Sequence, residues 1–239
     1  MIQEVEAYDF NESLVRLSSV LKANRQSDEK DFTIPSEAVM AELHQKKVNC
    51  TVMAIRPSFM KKDGQPMDNS PAAMQILEAY MMEIVAILRG CSVCKDFSMV
   101  NDTIVAIFET PLKKSILPVV DAMSRIGTMR TVVEKMAGAP HNSLRVKVSM
   151  HFGSCEAYYI GGRISPQPSV FWTGKAVNAA MILLDKTTEE PLLMMATSTL
   201  YNNLVDGYQK FFYLSSFNGE DMYEARMYNV VMNNWIQEH

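Results

Sequence analysis

The chain has 239 residues, of which 48% are hydrophobic and 21% charged, so it is long enough and apolar enough to bury one sizeable core. Its formal net charge of −4 excludes a general attraction to phosphate backbones or anionic lipids, and we expect no nucleic acid and no membrane as partners. The sequence contains no run of about 20 consecutive apolar residues, the length that a membrane-spanning helix needs. The acidic N-terminus lacks the apolar segment of a signal peptide. We therefore expect a cytoplasmic protein.

The first 47 residues are polar and charged, and they predict an N-terminal extension with a weak helix around Leu14 and a short helix over 36–46. The domain proper is expected to occupy residues 48–239. It opens with a buried, β-branched strand, VNCTVMAIR, which we expect to end at Pro57.

The rest of the chain alternates helices and strands. Ser70 followed by Pro71 is typical of a helix N-terminus, and Gly90 is typical of a helix end. The predicted elements that follow are a helix between Ser70 and Gly90, a hairpin over 94–109, a helix over 116–137, two strands within 144–160, a helix over 175–186, a strand over 192–196, a short helix over 197–204 and strands near 209–214 and 222–230. The order β-α-β-β-α-β predicts an α+β fold with a ferredoxin-like core, a mostly antiparallel sheet and helices on one face.

Two of the four cysteines, Cys91 and Cys94, form a C-x-x-C pair. A zinc site would require a second pair of ligands at similar spacing, which the sequence lacks. A redox site would require a helix N-terminus to lower the pKa of one thiol, whereas this pair follows a predicted helix end. We therefore expect reduced, partly buried thiols.

Three stretches together resemble the class III nucleotidyl cyclases. They are VNCTVMAIRPSF at 48–59, CKDFSMVNDTIVAIFETP at 94–111, and VSMHFG with VFWTGKAVNAAM at 148–153 and 170–181. In that family the first strand ends with Asp, a hairpin carries Gly-Asp before an apolar strand, a later strand reads like I-x-H-x-G, and a helix opens with G-x-x-V-N-x-A. The resemblance implies the class III cyclase fold.

A narrower resemblance is to the Pycsar cyclases, bacterial antiphage proteins that make cyclic pyrimidine nucleotides. The shared features are the I-P-S segment at 34–36, a helix resembling YMMEIVAIL, a hairpin ending like IFETPLKKSI, the V-x-W-x-G-x-x-V-N pattern in VFWTGKAVN, and a segment like MNNW at 232–235. This resemblance covers roughly residues 34–235 and implies a role in antiphage defence.

Cyclisation is an in-line attack of the ribose 3′-hydroxyl on the α-phosphorus, and two divalent metals held by carboxylates suit it. The family's hairpin Asp matches Asp102, our candidate metal ligand, with a turn-capping Asp as the alternative. The family's first-strand Asp matches Ala54, whose methyl group binds no metal; Asp63 and Asp68 lie in the loop beyond. The resemblance implies Mn²⁺ or Mg²⁺ if the chain is active, and neither if it is not. Asn101 stands where the family has Gly and tolerates a positive φ.

Other family positions are partly retained. Asn178 matches the Asn that contacts the ribose or the transition state, and Ile182, one helical turn later, stands where the family has Arg or Lys. We expect Ile182 to be a core residue without a donor. Arg56 is either a phosphate ligand or a solvated arginine, and Lys175 adds positive potential near the start of the same helix. His151 is expected to be structural.

The family reads the base from two positions, which match Ser98 and Phe171. This pair differs from the adenine and guanine readers and favours a pyrimidine, the alternative being that both residues merely pack on the sheet. Trp172, in the shared V-x-W pattern, is a further candidate nucleotide-binding residue.

Three functions stay open. The first is a catalytically degenerate Pycsar-type homologue, a pseudo-cyclase that binds a pyrimidine nucleoside triphosphate or a phage component, as a homodimer or as a heterodimer with a complete cyclase. The second is an active cyclase that makes cUMP or cCMP from UTP or CTP. The third is a ferredoxin-like interaction module without a nucleotide. The joint absence of an acid at Ala54 and a base at Ile182 favours the first.

Overall fold

The computed structural model describes residues 10–22, 31–60, 70–140, 143–160, 169–186, 192–217 and 220–239. The helices are α1 (Phe10–Lys22), α2 (Glu37–Leu43), α3 (Pro71–Gly90), α4 (Leu117–Met136), α5 (Lys175–Asp185), α6 (Ser198–Asn203), α7 (Asp206–Gln209) and α8 (Val230–Glu238), with a 3₁₀ turn at Lys113–Ile116. The strands are β1 (Gln45–Phe59), β2 (Cys94–Val100), β3 (Thr103–Phe108), β4 (Leu144–Ile160), β5 (Ser169–Thr173), β6 (Leu192–Thr197), β7 (Phe212–Phe217) and β8 (Glu220–Ala225).

The strands form one mixed sheet in the order β2-β3-β1-β4-β6-β8-β7, and β5 pairs with β4 beside this path. β1 runs antiparallel to both β3 and β4, whereas β4 and β6 are parallel. The order β2-β3-β1-β4 is that of a ferredoxin-like core. The predicted α+β class and mostly antiparallel sheet are therefore confirmed.

Both faces of β1 are buried, and each face is covered by helices. Met53 and Ile55 belong to the larger core cluster, which contains the buried residues of α3 and α4. Val52 and Ala54 belong to a second cluster on the opposite face, with the buried side of α5. The expected placement of helices on one face therefore holds for α3 and α4, the two helices of the ferredoxin-like core, but not for α5. Successive residues of β1 point to opposite faces and are apolar on both, so helices must cover both faces of the strand.

β1 and β4 are longer than the sequence predicts. β1 pairs with β3 only as far as Ile55, but its pairing with β4 continues past Pro57 to Phe59. A proline is tolerated where a strand has a neighbour on one side only, so Pro57 does not end the strand. β4 is one continuous strand rather than two, because Gly153 stays in register opposite Cys50.

Part of the predicted N-terminal extension packs on the sheet. Ile34 and Met40 are buried in the second cluster, and the Asn49 backbone N–H donates to the Asp31 carbonyl at 2.7 Å. The boundary at residue 48 stays a prediction, but residues 31–43 share a core with the strands that follow.

Among the described helices, α3 has the length and apolar composition that a membrane span would need, which the count of consecutive apolar residues did not indicate. Tyr80, Ile84 and Leu88 on this helix are completely buried. The Tyr80 hydroxyl donates to the Ile126 carbonyl of α4 at 2.8 Å. These contacts pack one face of α3 into the core, and Ser70 caps its N-terminus as predicted.

Candidate functional site

Three elements meet near the C-terminal end of β1 through the side chain of Arg56. Its Nε donates to Thr103 Oγ1 at 2.9 Å and lies 3.2 Å from Asp102 Oδ1. Its Nη1 donates to Asp185 Oδ1 at 2.6 Å. The Arg56 side chain is 24% exposed, against 67% for Asp102 and 62% for Asp185. We call Arg56, Asp102 and Asp185 the arginine bridge. It joins β1, the β2–β3 turn and the last residue of α5, so Arg56 is not a solvated arginine.

The turn between β2 and β3 positions Asp102. Asn101 has φ = 57°, as its place in the family's Gly position predicted. The Thr103 hydroxyl donates to Asp102 Oδ1 at 3.0 Å. One oxygen of the candidate metal ligand is therefore shared between a neighbouring hydroxyl and a guanidinium.

Ala54 lies two residues before Arg56 on β1, between Val105 of β3 and Ser149 of β4. It is completely buried and clusters with Ala180 of α5. Among the described residues, no group of three or more His, Cys, Asp and Glu side chains is arranged to hold a metal ion.

This donor set does not fit a pair of divalent cations. The position next to the arginine bridge is a methyl group, and the one carboxylate that matches the family faces a guanidinium. Asp63 and Asp68, the other carboxylates considered, lie outside the described residues.

α5 presents Asn178, Ile182 and Asp185 at helical spacing, and all three are exposed. Ile182 is 55% exposed, so its expected place in the core is wrong. The helix has an apolar majority, and only the 3.6-residue period decides which positions face the sheet: these are Ala176, Ala180, Leu183 and Leu184. Ile182 nevertheless offers no donor.

The start of α5 depends on Gly174, whose φ is 110°. A Cβ at this position would lie 3.1 Å from the Ser154 carbonyl oxygen and 3.3 Å from the Cys155 Cα of β4. Glycine suits this position because α5 begins directly against β4. Lys175, the first residue of the helix, is exposed.

Ser98 and Trp172 come together at a separate cleft of about 620 Å³. We call it the β2–β5 cleft; its walls are Ile34, Pro35, Ser36, Glu37, Lys95, Asp96, Phe97, Ser98, Ser169, Val170 and Trp172. The Trp172 indole Nε1 donates to Asp96 Oδ2 at 2.7 Å. Burial raises the pKa of the half-buried Asp96 carboxyl, against the smaller lowering effect of the Trp172 hydrogen bond.

Phe171 lies outside this cleft. It pairs with Tyr158, and its side chain is 55% exposed, whereas its neighbour Trp172 pairs with the buried Ala157. Successive side chains of a strand point to opposite faces, so Phe171 and Trp172 separate. The structure brings Ser98 together with Trp172 and with Asp96, which the sequence analysis missed. The sequence did contain an indication of this: Asp96 stands two residues before Ser98 on the same strand, and residues at that spacing lie on the same face of a sheet.

His151 and the cysteines have surroundings typical of structural residues. His151 Nδ1 lies 2.9 Å from Thr197 Oγ1, and burial lowers the pKa of the imidazole. Burial raises the pKa of Cys91 and raises that of Cys94 to about 12, which is opposite to the change that a reactive thiol requires. The expectation of partly buried thiols is confirmed.

The chain matches no family model. It is 24% identical, over 98% of its own length and 98% of the relative's, to a uridylate cyclase from Gulbenkiania mobilis. A class III adenylyl cyclase-like ATP-binding protein from Pseudomonas aeruginosa superposes with a TM-score of 0.65 at 10% identity, over 95% of this chain and 48% of that one. An adenylyl cyclase from the same organism superposes with a TM-score of 0.61 at 14% identity, over 78% of this chain and 97% of that one.

These likenesses confirm the resemblance that the motifs predicted: the chain has the class III nucleotidyl cyclase fold and is similar over nearly its whole length to a uridylate cyclase.

Proposed function

We propose that the chain is a Pycsar-type cyclase homologue of bacterial antiphage defence that binds a pyrimidine nucleoside triphosphate but does not cyclise it unaided. The observation that carries this proposal is the arginine bridge beside Ala54: of the two carboxylates that cyclisation would require, Asp102 is paired with a guanidinium and the other is replaced by a methyl group. The similarity to a uridylate cyclase supports a pyrimidine nucleotide as the ligand.

The arginine bridge opposes metal binding in two ways. Oδ1 of Asp102 is already shared between Arg56, at 3.2 Å, and the Thr103 hydroxyl, and the guanidinium would repel a cation bound at the other oxygen. Ala54 adds no ligand in return. The positive charge beside Asp102 and Ala54 comes from Arg56, which attracts phosphate but does not activate a hydroxyl.

The exposed face of α5 supports the same conclusion. Asn178 retains an amide that can contact a ribose, but Ile182, one turn later, has no donor for the charge that develops on the phosphates. Losing one preorganised donor of this kind costs about a hundredfold in rate. Retained binding with lost turnover is the behaviour we infer for a pseudo-cyclase.

Partnership follows from this deficiency. Class III cyclase sites form between two subunits, as the resemblance implies, so a homodimer of this chain would contain two equally deficient sites. A heterodimer with a complete cyclase would gain one site in which the partner supplies the carboxylates and the basic residue. We propose the heterodimer as the assembly in which the chain contributes to catalysis in the cytoplasm.

The second candidate function is an active uridylate cyclase, favoured by the nearly full-length similarity to one. The experiment that separates the two supplies the purified chain with Mn²⁺ and each of UTP, CTP, ATP and GTP, and detects cyclic nucleotides by mass spectrometry. Asp102→Asn is the matched control. No product from protein that binds UTP supports the pseudo-cyclase, whereas product above the Asp102→Asn background establishes the enzyme and identifies its base.

A gain-of-function variant tests the site assignment itself. Ala54→Asp combined with Ile182→Arg returns both family groups, and we expect cyclic nucleotide from this double variant but from neither single one. A folded double variant without product contradicts the assignment of these two positions. Wild-type protein that binds no nucleoside triphosphate at all would leave the interaction module as the remaining function.

A further inference from the structure

The β2–β5 cleft is large enough to hold a small molecule. Its volume of about 620 Å³ lies within the range of roughly 300–1,000 Å³ that is usual for such sites. Asp96 and Ser98 pair with Ile107 and Val105 across the hairpin. Ile107 and Val105 belong to the same core cluster as Trp172, so both polar side chains of β2 point to the face that Trp172 covers.

The carboxylate of Asp96 is held in place by two hydrogen bonds, and Lys95, beside it in the sequence, pairs with a different carboxylate. Trp172 Nε1 donates to Oδ2 at 2.7 Å, and the Phe97 backbone N–H also donates to the carboxylate. Lys95, the adjacent cation, lies 3.8 Å from Glu109 Oε1 and pairs with that residue instead. A carboxylate offers about four lone-pair positions, so Asp96 retains acceptor capacity toward the cleft after these two hydrogen bonds are counted.

This arrangement complements the edge of an imide. Uracil presents an N3–H donor between two carbonyl acceptors, so a carboxylate can accept from N3–H while a hydroxyl donates to an adjacent carbonyl. Ser98 lies two residues from Asp96 on the same face and is exposed to the cleft. The indole of Trp172 adds an aromatic wall. Hydrogen bonds to a charged acceptor in a partly desolvated site discriminate strongly against ligands that lack the donor.

We propose that Asp96, positioned by Trp172 and assisted by Ser98, is the residue that reads the base in this chain, by accepting the N3–H of a uracil ring in the β2–β5 cleft. The proposal rests on the proposed function, in which a pyrimidine nucleotide binds, and it assigns the selectivity to Asp96 rather than to Phe171. N3-methylated UTP keeps the ring, the ribose and the triphosphate but lacks the donor, so it isolates this one contact.

The test measures the affinity of the full chain for UTP, N3-methyl-UTP, CTP, GTP and inorganic tripolyphosphate by isothermal titration calorimetry. We expect UTP to bind about tenfold or more tightly than N3-methyl-UTP. In Asp96→Ala this ratio should fall to about one, while the affinity for tripolyphosphate stays unchanged. Asp206→Asn, an exposed carboxylate in the first turn of α7, is the matched control and should keep the wild-type ratio.

The ratio of the two affinities is the decisive quantity, because a merely structural role of Asp96 would weaken both ligands together. If Asp96→Ala does not fold, Asp96→Asn replaces it, because the neutral amide has the size of the carboxylate. We then expect the ratio of the UTP affinity to the N3-methyl-UTP affinity to lie well below the wild-type value. An unchanged ratio in either folded variant, or tighter binding of GTP or CTP than of UTP, overturns the assignment of Asp96 and leaves the proposed function standing. Wild-type protein that binds none of the nucleotides overturns both.

Discussion

Arg56 of β1 donates to Asp185, the last residue of α5, at 2.6 Å, although the two residues are 129 positions apart in the chain. The same guanidinium lies 3.2 Å from Asp102 in the β2–β3 turn. One side chain thereby links three elements in the corner where the family motifs place catalysis. Its influence on stability and on metal binding can be measured separately.

Arg56→Ala should lower the free energy of unfolding by about 1 kcal/mol, because both carboxylate partners are more than half exposed and water screens each ion pair. Chemical denaturation measures the change. Arg125→Ala removes an exposed pair with Asp121, at 2.8 Å, and should cost less because that pair has one carboxylate and no additional hydroxyl. Equal losses in both variants would contradict a three-element role for Arg56.

Ala54→Asp should destabilise the protein by about 2 kcal/mol in the absence of metal, because the new carboxylate replaces a completely buried methyl group. With Asp102 nearby, it would also create two carboxylates that a divalent cation could bind. We therefore expect Mn²⁺ to raise the melting temperature of Ala54→Asp but not that of the wild type. Ala54→Asn is the control, because asparagine has the shape of aspartate without its charge. A rise in the melting temperature of similar size when Mn²⁺ is added to this control would contradict the interpretation.

Gly174→Ala should lower the free energy of unfolding by about 1–3 kcal/mol, because φ = 110° is strained for alanine and the new Cβ would lie 3.1 Å from the Ser154 carbonyl oxygen. Thermal unfolding measures the change. Gly207→Ala is the control: a Cβ at Gly207 has no heavy atom within 4 Å among those described, and the residue lies in α7. A Gly174→Ala variant as stable as Gly207→Ala would show that α5 can begin differently.

His151 should make the protein less stable as the pH falls below about 6.5. Burial lowers the pKa of the folded imidazole below its ordinary value of 6.5, so the unfolded chain takes up the proton first. The contribution is fully present above the unfolded pKa and is lost as the pH falls toward the folded pKa. Urea denaturation of wild type and His151→Gln between about pH 7.5 and about pH 5.5 measures it. The wild type should lose more stability than the variant over this range; parallel curves would exclude His151 as the cause.

Several local features followed directly from the sequence. Ser70 and Pro71 begin α3, and the Asn101 φ is positive, because capping and turn preferences depend on residues within one turn of the chain. The βαββαβ core followed from the alternation of helical and strand periods along the chain. These signals are local, so neighbouring residues determine them without reference to the rest of the fold.

The positions of the candidate functional residues depended on contacts between distant segments. The sequence alone determined the class of fold, the hairpin that carries Asp102, and the absence of an acid at position 54. Only the tertiary structure decided that Ile182 is exposed, that Trp172 rather than Phe171 joins Ser98, and that Asp185 meets Arg56. Which face of a helix or strand is buried depends on what packs against it. An apolar residue can be either buried or exposed, so its identity alone does not reveal which face that is.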